Sequence, residues 1–264
     1  LSRAEILLLK SRARRLVYDL DDPIQYRSSR HFLRFSLSRR LGFRRMAGAA
    51  DAFLASSPLI AAEARKVLPP ERVFVVPSTV DGEVYRPGPE HSPEGGFVLG
   101  WLGSAGTVAY LKRLGKVLKE VGRRVPDLRL KVVSNRFVDL TGIRLENKVW
   151  KHAEEVADLQ SFDAGLLPIP DDLWTRGKGH GKLFQYLATG SPVIGSPVGI
   201  VAEVVKDGVN GFLPGRDSEW VQAILRLAGD RALLARMRRQ AREDFVARHS
   251  VQASLPVVLK ALRG

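Results

Sequence analysis

The chain has 264 residues, 45% of them hydrophobic and none of them cysteine, so it can bury a full core in one large or two modest domains; disulfide scaffolds and thiolate metal sites are excluded, and a reducing cytoplasm is the fitting compartment. Its 42 Lys and Arg outnumber 28 Asp and Glu, and the resulting net charge of +14 points to a polyanionic partner: nucleic acid, anionic lipid or a phosphorylated substrate. No apolar run reaches the roughly 20 residues that span a bilayer, and Leu1-Ser-Arg-Ala-Glu opens without the apolar core or cleavage site of a signal peptide.

In chain order, Arg15–Asp19 reads as a strand running into Asp21-Asp22-Pro23. The segment from Arg27 to Arg45 carries seven arginines and no acid, interleaved with Phe32, Leu33, Phe35, Leu37, Leu41 and Phe43. It has the character of an interfacial helix for an anionic membrane, or of a solvated helix packed on its own domain. Strands at Ala52–Ser56 and Arg72–Val76, with a helix over Pro58–Val67 between them, continue a β-α alternation that predicts parallel pairing. The Pro- and Gly-rich stretch from Arg86 to Gly96 predicts a boundary, with a first domain over 1–88 and a linker at 89–96.

A second α/β domain is expected over 97–249. Its predicted strands are Phe97–Trp101, Arg129–Val133, Lys148–Trp150, Ala164–Ile169 and Pro192–Gly195, with a short hairpin at Val209–Leu213. Helices are expected over Thr107–Val125, Ala153–Phe162, Lys182–Ala188 and Val201–Lys206, and from Ser218 onward with breaks near Gly229 and Ser250. Residues 250–264 form a last helix.

The loops after such strands are where ligands bind. Between Trp174 and Lys182, Arg176, Lys178 and Lys182 alternate with Gly177, Gly179 and Gly181 just before a helix, with His180 inside the run. Cations, close backbone approach and a helix N-terminus together suit a diphosphate; a solvated surface loop is the plain alternative. Asp171 and Asp172 either pair with these cations or serve as capping and turn residues. Gly103, Ser104, Gly106 and Thr107 form a second candidate phosphate nest, with a plain tight strand-to-helix turn as the alternative. The spacing is not Gly-x-Gly-x-x-Gly, and Ser134-Asn135 stands where an NAD ribose would need an acid, so a dehydrogenase is disfavoured. Gln185, three residues after Lys182, either meets sugar hydroxyls or is an ordinary solvated helix residue. None of the five histidines stands at metal-ligand spacing, and no nucleophile elbow or Walker-type motif occurs.

These residues resemble the retaining glycosyltransferases of the GT-B fold, family 4 (glycosyl transferase group 1). The carriers are Tyr18–Asp22, Val75–Asp81 with Tyr85-Arg-Pro87, Gly100–Ser104 with Tyr110-Leu111, and Arg176–Gly211, within which Gln185–Ile194, Val198-Gly199 to Glu203, Asp207-Gly208 and Gly211 look like the donor-binding signature. The resemblance implies two Rossmann-like domains of parallel sheets flanked by helices, a nucleotide sugar (UDP- or GDP-linked) held by the second, acceptor bound by the first, no metal and no cofactor. It implies that Arg176, Lys178 and Lys182 neutralise the departing diphosphate. Gly103, Ser104, Thr107, His180 and Gly199 would approach the donor, Gln185 the ribose, and Asn135 and Trp150 the base. Asp21 and Asp22 would stand on the acceptor side, and Val251–Leu262 would cross back to the first domain. Where many members carry two glutamates eight positions apart, this chain has Gly177 and Gln185. Its first domain is about half the family's usual length, so a truncated start is expected. The acceptor implied is a glycan or lipid-linked molecule of the cell envelope. The competing expectations are a nucleotide-sugar-binding fragment without turnover, and a basic protein peripheral on the inner membrane face, with nucleic acid the less favoured polyanion.

Overall fold

The computed structural model describes residues 2–27, 36–89 and 96–264. Helix α1 (Arg3–Arg12) opens on a capping box in which Ser2 and Glu5 satisfy each other's backbone amides. Strand β1 (Val17–Leu20), helix α2 (Leu37–Ala49), strand β2 (Ala52–Ala55), helix α3 (Pro58–Ala64) and strand β3 (Val73–Val75) follow. The three strands form a parallel sheet in the order β1-β2-β3. The middle strand is buried at all four positions, and its Ala-Phe-Leu-Ala sequence is apolar throughout because both faces are covered. Phe43 and Ala47 of α2 and Ile60, Ala61 and Ala64 of α3 pack with Phe53 and Ala55 on one face. The other face, with Ala52, Leu54 and Phe74, is closed by Val258 and Ala261 of the last helix, α12 (Val251–Arg263).

The second sheet has six parallel strands: β4 (Val98–Leu102), β5 (Arg129–Ser134), β6 (Arg144–Val149), β7 (Ala164–Leu167), β8 (Val193–Gly195) and β9 (Gly211–Phe212). Their order is β6-β5-β4-β7-β8-β9. The chain starts mid-sheet, moves out to β6, then returns to build the other half, so strand order reverses between β4 and β7. Alternation along β4 sends Leu99 and Trp101 to one core layer and Val98 and Leu102 to the other. The first layer meets α5 (Gly115–Arg124) and α10 (Asp217–Gly229); the second meets α8 (Gly181–Ala188), α9 (Ile200–Val204) and α11 (Arg231–Arg248).

Several expectations are corrected. The helix expected over Thr107–Val125 is two, α4 (Val108–Lys112) and α5, because the chain turns at Leu114 and both Leu111 and Leu114 enter the core. No hairpin forms at Val209–Leu213: Val209 lies in a turn closed by Gly208 N–H donating to the Gly211 carbonyl, and Gly211-Phe212 pairs with the open edge of β8. The cationic loop contains helix α7 (Leu173–Gly177), capped by Asp172 and Thr175. In the arginine-rich segment, α2 buries Phe43 and exposes Leu37 and Leu41, while Arg30, Phe32, Leu33, Arg34 and Phe35 lie outside the described residues. No helix among the described residues is long and apolar enough to cross a membrane.

Candidate functional site

The carboxyl ends of β4, β5, β6, β7 and β8 open on one crevice, and the reversal between β4 and β7 lies at its centre. Gly103 ends β4 with its amide on the Val133 carbonyl at 3.0 Å. A Cβ there would overlap the Trp101 indole, which folds beneath the loop. Asn135, after β5, accepts from the Ala105 amide at 2.9 Å and so braces the loop rather than reaching a base pocket freely. Thr107 donates to the Ser104 carbonyl at 3.1 Å, and its oxygen faces Lys182.

Lys182 lies in the first turn of α8. Its ammonium sits 5.4 Å from the centre of the Trp101 ring and 3.4 Å from Thr107 Oγ1. Among the described residues it meets no carboxylate. Burial, with a smaller push from Lys178, lowers its pKa to about 8. A half-buried cation without a counter-charge among the described residues is unfavourable until an anion arrives, so the chemistry here suits an anion.

The other two cations are committed elsewhere. Lys178 donates to Asp22 Oδ1 across the units at 2.6 Å and lies 5.8 Å from the centre of the Trp174 ring. Arg176 grips Asp171 through Nε at 2.5 Å and Nη2 at 2.8 Å, on an exposed rim. It does not join Lys182: α7 ends at Gly177, so Arg176 points back along its own helix while Lys178 lies beyond the helix end. Of the two aspartates left open by sequence, Asp171 pairs with Arg176 and Asp172 caps α7.

The glycines of this loop serve the interface between the units. A Cβ on Gly179 would strike Asp21 and Ser78, and one on Gly177 would meet Pro23 at 2.7 Å. The Gly179 amide donates to the Asp21 carbonyl at 3.2 Å, Ser57 donates to the Gly177 carbonyl at 2.8 Å, and Ser78 donates to Asp21 Oδ1. Asp21 and Asp22 thus clamp the loop. A Cβ on Gly199, at φ 54°, would strike the Arg176 backbone at 2.6 Å, and Gly199 lines an open cavity with Pro58, Leu59, Asp171, Arg176 and Glu203.

His180 takes the left-handed conformation at φ 50° and buries its ring against the Thr175 carbonyl at 2.9 Å. A carbonyl only accepts, so Nε2 carries the proton. Burial drops its pKa to about 4 and keeps the ring neutral.

Beyond Lys182, Gln185 and Trp150 converge on Glu155, the first residue of α6 (Glu155–Gln160), which sequence reasoning missed. Gln185 Nε2 donates to Glu155 Oε1 at 2.8 Å and Trp150 Nε1 to Glu155 Oε2 at 2.5 Å. Tyr85, on the segment joining the units, donates to Oε1 at 2.5 Å; burial and this bond push its pKa up. The available signal was the pair Glu154-Glu155 opening a helix directly after a strand end.

The family described as Glycosyl transferases group 1 matches residues 97–230. No curated protein matches the chain by sequence. Among solved structures, S. aureus TarM, in a complex that includes UDP, is 13% identical with a TM-score of 0.71 over 94% of this chain and 50% of that one. Anabaena HepE, bound to UDP and glucose, is 18% identical with a TM-score of 0.72, over 98% of this chain and 74% of that one. The C-terminal domain of the glycosyl transferase group 1 family protein LpcC from Francisella tularensis is 14% identical with a TM-score of 0.53, over 66% of this chain and all of that one. The fold is therefore that of the GT-B glycosyltransferases, and the chain spans half the length of TarM.

Proposed function

The chain belongs to the glycosyl transferases group 1 family, and from that premise we propose that it moves a sugar from a nucleoside-diphosphate donor to a glycan or lipid-linked acceptor with retention of configuration. The observation that carries this reading is Lys182: a half-buried ammonium that meets no carboxylate among the described residues, at the strand-order reversal, beside Thr107 and above Trp101. Its charge would stabilise the negative charge that develops on the leaving diphosphate, an interaction strongest in the transition state. The C1–O bond to the diphosphate breaks while the acceptor oxygen bonds C1 on the same face, and the acceptor's proton passes to a leaving phosphate oxygen. Lys178, tied to Asp22, holds the loop rather than the phosphate. The UDP bound by TarM and the UDP-glucose bound by HepE support a UDP-linked donor.

Replacing Lys182→Met tests the site. Calorimetric affinity for the preferred member of UDP, GDP and ADP is expected to fall at least ~30-fold, as removal of one partner of a buried charge pair does. The thermal midpoint of the free protein should hold or rise, because an uncompensated buried charge is removed. Unchanged affinity would move the donor site elsewhere.

The acceptor side favours an anionic membrane surface. Helix α2 exposes Leu37 and Leu41 on the side that also carries Arg44 and Arg45, an apolar and cationic face suited to acidic headgroups.

A further inference from the structure

The Glu155 cluster fixes more than its own geometry. Its carboxylate is buried, with the residue 7% exposed, and both oxygens accept hydrogen bonds. The Glu155 oxygens act as acceptors for Tyr85 and Trp150, and the Gln185 amide likewise presents Nε2 to them. The second Nε2 hydrogen points to the Tyr85 oxygen at 3.4 Å, so both amide hydrogens are spent. Gln185 Oε1 is left on the far side of the amide and, among the described residues, accepts nothing. It also escapes full burial, and Lys182 stands three residues earlier on the same helix. The half-exposed Trp150 ring flanks the cluster from just past the end of β6.

We propose that Glu155 is a positioning residue that locks the Gln185 amide with its oxygen outward, as the acceptor for a ribose hydroxyl, so that the site distinguishes ribonucleoside from deoxyribonucleoside diphosphates. This rests on the donor-site reading above. The pair supplies what one carboxylate at position 185 would supply, an acceptor of fixed polarity, with the charge displaced one residue deeper. An untethered glutamine would offer either end of its amide and would tolerate the loss of a hydroxyl.

The test is calorimetry of the whole chain with UDP, GDP and ADP and their 2′-deoxy and 3′-deoxy counterparts. The wild type is expected to prefer the ribo form of its best nucleotide about tenfold over at least one deoxy form, the scale of one directed hydrogen bond. Glu155→Gln should bring that ratio below about threefold. The exchange variant Glu155→Gln with Gln185→Glu rebuilds the carboxylate–amide pair in reverse and should recover the preference, which a merely structural glutamate would not do. A second readout needs no Glu155 variant: the Gln185 side-chain amide resonance, assigned by its loss in Gln185→Met, should barely move on nucleotide binding because its hydrogens stay on Glu155 and Tyr85. Discrimination retained in Glu155→Gln, failure of the folded exchange variant to recover it, or a large amide shift would each overturn the proposal. A wild type that binds without discrimination overturns it alone. A wild type that binds no nucleoside diphosphate overturns the donor-site reading with it.

Discussion

Lys182 and His180 are neighbours in sequence with opposite demands on the proton. Lys182 must be charged to hold an anion, and burial brings its pKa down to about 8. Nucleotide affinity should therefore be level below pH 8 and fall up to about tenfold per pH unit above it, since binding must then recover a lost proton. Calorimetry from pH 6.5 to 10 checks this, and a flat profile would reject Lys182 as the anion's partner. His180 is buried neutral, with its pKa lowered to about 4 from the ordinary 6.5. Between those values the unfolded chain binds the proton and the folded one does not, so stability is complete above pH 6.5 and declines as pH falls toward 4. Denaturant midpoints should show a loss of up to about 3 kcal/mol across that window, and His180→Asn should flatten it.

Helix α8 carries two jobs on two faces. Lys182 and Gln185 face the crevice, while Leu183, Phe184, Tyr186 and Leu187 are buried. Strands β4 and β7 pair only at Leu99–Ala164 and Gly100–Gly165 before they part. The Tyr186 hydroxyl enters the gap, accepting from the Leu102 amide at 2.9 Å and donating to the Leu166 carbonyl at 3.5 Å. Burial pushes its pKa up, so it stays a neutral phenol. Tyr186→Phe leaves the Leu102 amide unsatisfied and should cost about 1–3 kcal/mol in urea denaturation, with nucleotide affinity changed less than threefold. Elements of this kind were legible where one segment decides them: the apolar run of β4 and the amphipathic α8 follow from their own residues. Contacts between distant segments were not. Gly211-Phe212 looked like half of a hairpin because the Asp207-Gly208 turn is local and the edge of β8 is not. Arg176 was grouped with Lys178 and Lys182 by adjacency, although the end of α7 at Gly177 sends it the other way. Glu155 has no place in the sequence reading, since two of the partners that define it lie 70 residues before and 30 after.

At the scale of the molecule, charge and apolar exposure coincide on the first unit. If α2 seats on acidic headgroups, the chain should float with vesicles containing an anionic phospholipid, release as salt rises, and stay in solution with neutral vesicles. Leu37→Asp with Leu41→Asp should abolish flotation at unchanged thermal midpoint, because both side chains are exposed. The two units are held together at several points: Asp22 on Lys178, and Arg242 donating to the carbonyls of Gly82, Tyr85 and Ala188. The last helix adds another, with Arg15 donating to the Ala261 carbonyl at 2.8 Å and Lys260 over the Phe74 ring. That arrangement bears on the order of folding. The β1-β2-β3 layer precedes the six-stranded body in the chain, yet the helix that roofs Ala52, Leu54 and Phe74 is translated only after it. That side of the nascent sheet lacks α12 while the six-stranded body is being made, a natural foothold for a holding chaperone until α12 emerges and shuts it.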